Sequence, residues 1–420
     1  MTQELQPNLE TRGRYTVGIS KLISQVLVVG VFLLCYSYGL RRYAEYSNIF
    51  SYYIFSVIVG VFIVYLADYA VHDVGLKRLL FIVGFFCLSS VYILRGYVGT
   101  DQWTYRLIFD MAADVGVGEY FASSGIEKGY LFINYLLYRL FNGEFDNFQL
   151  VVSLLTMYFW GRGIWDNRRY VSMSMASFMF AASYIFLLMA ADLFRIFLSA
   201  GIIFWGYKFV LRKETKKFVA TILAAAIIHL SSLVLLPFLL LLQSRTYIYR
   251  HWKKFLIVMA LLVGVGFTVL SRVAPLLGDR YSGYTVSEGR VSVLSFLSIF
   301  GFMVYAIYLR PYLPEGMRKL YHLTLILLGM TIIIKIVGIF FPFGRTVYYT
   351  TCGLMLITGA SSKATDNSFC RTVMPAVFVL YGFIYMYVSC FQLEPDVTPL
   401  FAYNSYFDCI NEWFGFTRPD

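Results

Sequence analysis

Arg95, Asp101, Trp103 and Tyr105 share one short stretch, Arg95-Gly-Tyr-Val-Gly-Thr-Asp101-Gln-Trp103-Thr-Tyr105-Arg106. A guanidinium can reach phosphate oxygens, and a carboxylate can take a proton or fix a sugar hydroxyl. An indole and a phenol suit a sugar face or a membrane–water interface. Gly96 and Gly99 let the backbone turn without a Cβ penalty. The stretch follows the apolar run Leu79 to Leu94, so it lies where lipid gives way to water. The competing reading is a plain membrane-exit loop with an aromatic belt.

Other candidates lie further along. Arg195 follows Asp192 at a spacing suited to an i,i+3 pair, which is either a structural pair at a helix start or a phosphate-binding cation. Arg345 and Tyr349 stand in Pro342-Phe-Gly-Arg345-Thr-Val-Tyr-Tyr349, with the same two readings. Several arginines on one face could engage a diphosphate through their planar forks. His229 sits in an apolar run beside Ser231 and Ser232, as a helix-packing hydrogen-bonder or as a base. Lys335 reads as a snorkelling or substrate-facing cation, and Lys208 as a snorkelling one. Arg280, Tyr281, Tyr284 and Arg290 mix charge and aromatic rings in a loop fit for sugars, or simply solvated.

The elements that must position these residues are membrane helices. The chain is 59% hydrophobic and 14% charged, against about 25% charged in soluble domains, and its mean hydropathy is +0.67. Its apolar runs are continuous, which excludes a barrel and predicts an all-α polytopic membrane protein. About 11–12 transmembrane helices are expected, with short re-entrant or interfacial helices beside them. The spans fall at about 22–40, 49–67, 79–94, 148–164, 172–191, 194–211, 255–271, 291–309, 320–341, 346–360 and 372–390. Two stretches resist a simple crossing: 126–141, interrupted by Arg139, and 218–242, which holds His229 and Pro237.

Basic residues decide the second case. If 218–242 dips in, breaks near His229 and returns, about 21 basic residues lie inside against about 12 outside. A single crossing would give about 17 against about 16. The hairpin is therefore expected, with residues 1–21 a cytoplasmic N-terminus and 22–390 one transmembrane domain. Segment 95–147 is then the large external segment, 272–290 an external loop, and 391–420 an external tail. The candidate chemistry falls on the external side. Cys35, Cys87 and Cys352 read as buried thiols, whereas Cys390 and Cys409 could pair in an oxidising compartment. There is no Asp-x-Asp pair, no His/Cys cluster, no phosphate-binding glycine motif and no Gly-x-Ser-x-Gly elbow. Neither a cofactor nor a metal, nor a nucleic-acid partner, is expected.

Four pieces in order, Arg95-x-x-x-Gly-Thr-Asp101, Arg195-x-x-Leu198-x-Ala200, Ile228-His229-x-Ser231 and Arg345-x-x-x-Tyr349, carry a resemblance. Together they resemble the Wzy-type polysaccharide polymerases of the EpsG-like branch, over about residues 79–360. Ile196, Ser199, Ile228 and Ser232 depart from the residues that pattern carries. The resemblance implies a GT-C-like fold and a glycosyltransferase at the outer face of a bacterial inner membrane. It would move a growing O-antigen, capsule or exopolysaccharide chain from undecaprenyl diphosphate to a newly flipped lipid-linked repeat unit. Its partners would be those lipid-linked glycans, the bilayer and a chain-length regulator. Arg195 and Arg345 would stabilise the departing diphosphate, and Asp101 or His229 would act as base. Arg95, Trp103, Tyr105, Asp192, Arg280, Tyr281, Tyr284, Arg290, Lys335 and Tyr349 would line the substrate. An O-antigen ligase shares this chemistry, and a lipid-linked oligosaccharide flippase shares the composition. A flippase would show internal repeats, and none is visible.

Overall fold

A computed structural model describes residues 47–95, 101–123, 126–183, 190, 193–236, 293–340, 343–364 and 367–391. Among them the chain is helical, without a strand. The helices are α1 (Ser47–Tyr69), α2 (Val74–Ile93), α3 (Gln102–Asp114), α4 (Val117–Ser123), α5 (Lys128–Leu140) and α6 (Phe145–Asp166). They continue with α7 (Met173–Ala182), α8 (Phe194–Leu211), α9 (Thr215–Ile228), α10 (Val293–Leu309), α11 (Arg318–Phe340), α12 (Cys352–Ser361) and α13 (Met374–Phe391). Short 3-10 turns cover Leu230–Val234 and Phe343–Tyr349. Among the described residues, four stretches are long and apolar enough to cross a membrane: Val74–Ile93, Phe194–Leu211, Glu315–Ile336 and Phe369–Met386. With the shorter apolar helices beside them, the architecture is that of a polytopic α-helical membrane protein. Phe62, Ile82, Phe86 and Ile307 stay exposed on the helix surfaces, as side chains facing lipid do.

Local chemistry sets the helix ends. Asp73 caps α2 by accepting the Leu76 N–H at 2.7 Å, which moves the helix start ahead of the apolar run that predicted it. Ser172 caps α7, and its hydroxyl donates to Asp68 at 2.8 Å, tying α7 to the end of α1. Helices α1 and α2 meet backbone to backbone. A Cβ on Gly84 would stand 2.7 Å from the Gly60 carbonyl oxygen, so only glycines allow this approach.

Helix α8 is the central strut. It packs on α6, α9 and the Phe343–Tyr349 turn. Trp160 of α6 donates to the Phe197 carbonyl at 3.1 Å, and Ser199 donates to the Ala225 carbonyl of α9 at 3.1 Å. At one end of the bundle, Lys208 pairs with Asp166 at 2.9 Å, so its ammonium is neutralised by α6 rather than merely reaching for the interface. The other end of α8 begins at the candidate chemistry.

Two expectations change. Arg139 does not interrupt its segment; it closes α5 from the last turn, where a cation complements the helix dipole. The span expected at 346–360 begins as an α-helix only at Cys352. Tyr207 donates to the Tyr349 carbonyl at 2.8 Å, and the preceding residues wind as a 3-10 turn. The break expected near His229 is present: α9 ends at Ile228 and His229 is extended, with φ −148 and ψ 110. Residues past Leu236, and with them the return limb, lie outside the described residues, as do the first expected span, the 255–271 span and Cys409.

Candidate active site

Residues 102–140 fold into α3, α4 and α5, and these carry two carboxylates toward the start of α8. Asp101 directly precedes α3, and Glu127 directly precedes α5. Gly129, in the first turn of α5, lies against the end of α9; a Cβ there would stand 2.7 Å from the Ile227 carbonyl oxygen. That close approach brings Glu127 onto the chain at His229.

Glu127 is the hub of the site. One carboxylate oxygen, Oε2, takes Arg195 Nη1 at 2.5 Å. The other, Oε1, accepts the Leu230 N–H at 3.0 Å and faces His229 Nδ1 at 3.5 Å. Burial on its own would raise the Glu127 carboxyl, but Arg195, His229 and the Leu230 N–H outweigh it and hold the group below its ordinary range. The three side chains are 11% (Glu127), 12% (Arg195) and 23% (His229) exposed, so the imidazole is the most open of them.

A hydroxyl chain continues from the imidazole. Ser231 Oγ lies 3.1 Å from His229 Nδ1 and 3.0 Å from the Tyr349 hydroxyl. That phenol in turn lies 3.3 Å from Ser199 Oγ. Tyr349 is buried and anchors the Phe343–Tyr349 turn to both α8 and the His229 break. Ser199 and Ser231, neither chosen above as a site residue, thus help fix the site.

The same turn presents Arg345, which meets Asp101 at 3.6 Å. Here the arginine is 59% exposed and its carboxylate 35%, so this pair is open to solvent where Arg195–Glu127 is not. Tyr105 sits between the two pairs. Its ring stacks on Phe194 at 4.8 Å and 6°, and burial pushes its hydroxyl up despite the nearby Arg195 and Arg345. Tyr130 lies beneath Arg195, with the guanidinium 5.5 Å from its ring.

The structure therefore brings together Asp101, Tyr105, Arg195, His229, Arg345 and Tyr349 from four separate parts of the chain. Arg95 is packed beneath them, 4.0 Å from the Tyr92 ring and 4.4 Å from the Phe194 ring, and donates to Ser153 at 3.0 Å. Trp103 is 67% exposed on the surface of α3. Lys335 is half-buried on α11. Asp192, Arg280, Tyr281, Tyr284 and Arg290 lie outside the described residues. Among the described residues, no group of three or more His, Cys, Asp or Glu side chains forms a metal-ligand set.

Glu127 is the residue that spacing did not reveal. Arg195 has a nearer acidic neighbour in sequence, Asp192, and Glu127 stands 68 residues away from it. Its one signal is a lone carboxylate ahead of a glycine and a short apolar helix in Ile126-Glu127-Lys128-Gly129. The family model that matches the chain is that of the EpsG family, over residues 77–405. No curated protein and no solved structure matches it.

Proposed function

The chain belongs to the EpsG family, membrane proteins of the polysaccharide-polymerase type, and from that premise we propose a specific reaction. It is a glycosyltransferase that extends polysaccharide from lipid-diphosphate-linked repeat units at the outer face of the bacterial inner membrane. The N-terminus is cytoplasmic, and the glycan leaves undecaprenyl diphosphate. The observation that carries this reading is the placement of His229 at a helix break beside Glu127, the carboxylate that Arg195 pairs, with the turn that bears Arg345 joined to the same break through Tyr349 and Ser231.

An acceptor sugar hydroxyl attacks the anomeric carbon of the donor glycan. The new C–O bond forms as the bond from that carbon to the lipid diphosphate breaks. The hydroxyl proton passes to His229, and the electron pair leaves on the diphosphate. Geometry favours His229 over Asp101 as the base, because Asp101 is already turned toward Arg345. Arg345, the more exposed of the two arginines, is the cation that meets the developing negative charge. The donor carries its own leaving group, so no nucleotide takes part, and Arg345 takes the charge-stabilising role that a divalent metal would otherwise fill. A chain-length regulator is the expected protein partner.

The test is incubation of purified protein with synthetic undecaprenyl-diphosphate repeat units, without nucleotide sugar and with EDTA present. A ladder of products spaced by one repeat unit is expected. Product seen only when magnesium is restored would count against this chemistry.

A further inference from the structure

We infer that Arg95 is a positioning residue: it fixes the start of α3 against the start of α8, and so sets Asp101 beside Arg195 without touching substrate. This rests on the reaction proposed above. Arg95 is 2% exposed, and its guanidinium lies over two aromatic rings. Cζ is 4.0 Å from the centre of the Tyr92 ring, in the last turn of α2, and 4.4 Å from that of Phe194, the first residue of α8. Nη1 also donates to Ser153 of α6 at 3.0 Å. The Phe194 ring in turn stacks on Tyr105 of α3 at 4.8 Å and 6°. A planar cation against aromatic faces is held more strongly in a buried setting than at a surface. The contacts Tyr92–Arg95–Phe194–Tyr105 thus run from α2 through α8 to α3.

A second path leaves the same residue through its backbone. Gln149 of α6 donates to the Arg95 carbonyl at 2.7 Å, and Gln102, the first residue of α3, donates to the side-chain carbonyl of Gln149. Gln102 and Tyr105 stand at i and i+3, so they share one face of α3, and both are buried. Arg95 therefore holds that helix one turn apart on a single face. Asp101 directly precedes Gln102, and Arg195 directly follows Phe194. The residues held are thus the sequence neighbours of the two ion pairs, Asp101–Arg345 and Arg195–Glu127. A misplacement of about 1 Å between such groups is enough to slow a reaction heavily. Lysine would keep the charge but not the planar fork that faces the rings while donating to Ser153.

The experiment measures kcat and KM, per folded molecule, of wild type, Arg95→Lys, Phe194→Leu and the double variant on synthetic lipid-diphosphate repeat units. Each single variant should lose about tenfold in kcat with KM changed less than about twofold, and the double variant should lose no more than either alone. Losses that add, or an Arg95→Lys loss carried by KM, would make Arg95 a substrate contact and overturn the proposal. Wild-type kinetics in Arg95→Lys would overturn it too. A second readout needs no turnover: Asp101→Cys and Arg345→Cys are bridged by a short bifunctional thiol reagent, with each single cysteine as background. The turn bearing Arg345 packs on α8, so bridging should fall severalfold when Arg95→Lys is added, and equal bridging overturns the proposal. If wild type makes no product while bridging still depends on Arg95, the reaction assignment fails and positioning stands. If Arg95→Lys fails to fold, Phe194→Leu decides by the same two readings: reduced kcat with reduced bridging is expected, and unchanged bridging overturns.

Discussion

Arg195 Nη1 lies 2.5 Å from Glu127 Oε2, joining the start of α8 to the start of α5. Both partners are nearly buried, so breaking the pair leaves a charge without compensation. Such a loss costs about 3–5 kcal/mol when one partner is removed outright.

Arg195→Lys is the gentler probe. Lysine keeps the charge but loses the planar fork, and with it the geometry that orients the carboxylate. Losing one charge-assisted bond should cost roughly 1.5–3 kcal/mol, or about ten- to a hundredfold in rate. Chain-length profiling at matched expression reads this directly. Wild-type banding would return Arg195 to a purely interfacial role.

Gly129→Ala tests the close approach that builds the site. The added Cβ would stand 2.7 Å from the Ile227 carbonyl oxygen, and backbone cannot yield as a flexible side chain can. The start of α5 should move away from α9 and carry Glu127 from His229. Polymerisation should fall at least tenfold, about 1.4 kcal/mol, while membrane insertion is unchanged. Full activity in this variant would show that the contact is not needed.

The Glu127 carboxyl is depressed in the folded state below its ordinary 4.5. A depressed acid contributes stability that is present above its unfolded pKa and lost as pH falls through the folded one. The Tm advantage of wild type over Glu127→Gln in detergent should therefore be full at neutral pH and shrink on acidification below about 4.5. Carboxylates elsewhere affect both proteins alike. Parallel Tm curves across that window would contradict the sign of the shift.

Orientation can be checked with introduced cysteines and a membrane-impermeant label. Trp103→Cys, on the exposed face of α3, should react from outside, whereas Gln243→Cys should not. Labelling at position 243 would overturn the basic-residue tally and the hairpin it supports.

How much of this was legible in sequence depends on the range of the interaction. The helix expected at 194–211 is observed as Phe194–Leu211, because an apolar run bounded by polar residues settles it locally. The break at His229 was equally legible, since a histidine and two serines interrupt an alanine-rich run. The 3-10 turn ending at Tyr349 was not, because its cause is the Tyr207 hydroxyl, 142 residues away. Arg195 was found but its partner was not, for the same reason: nothing local marks Glu127 as its acceptor. Arg95 illustrates the reverse. Its position beside an apolar run reads as an interfacial cation, whereas packing against Phe194 places it 2% exposed within the helix bundle.

The most direct measurement is the stoichiometry of lipid diphosphate release. Purified protein is given radiolabelled undecaprenyl-diphosphate repeat units, and glycosidic bonds formed are counted against free undecaprenyl diphosphate. A reaction in which the acceptor hydroxyl displaces the lipid diphosphate predicts one released per bond, in wild type and in slow Arg195→Lys alike. Chain growth without release, or growth dependent on an added nucleotide sugar, would contradict it.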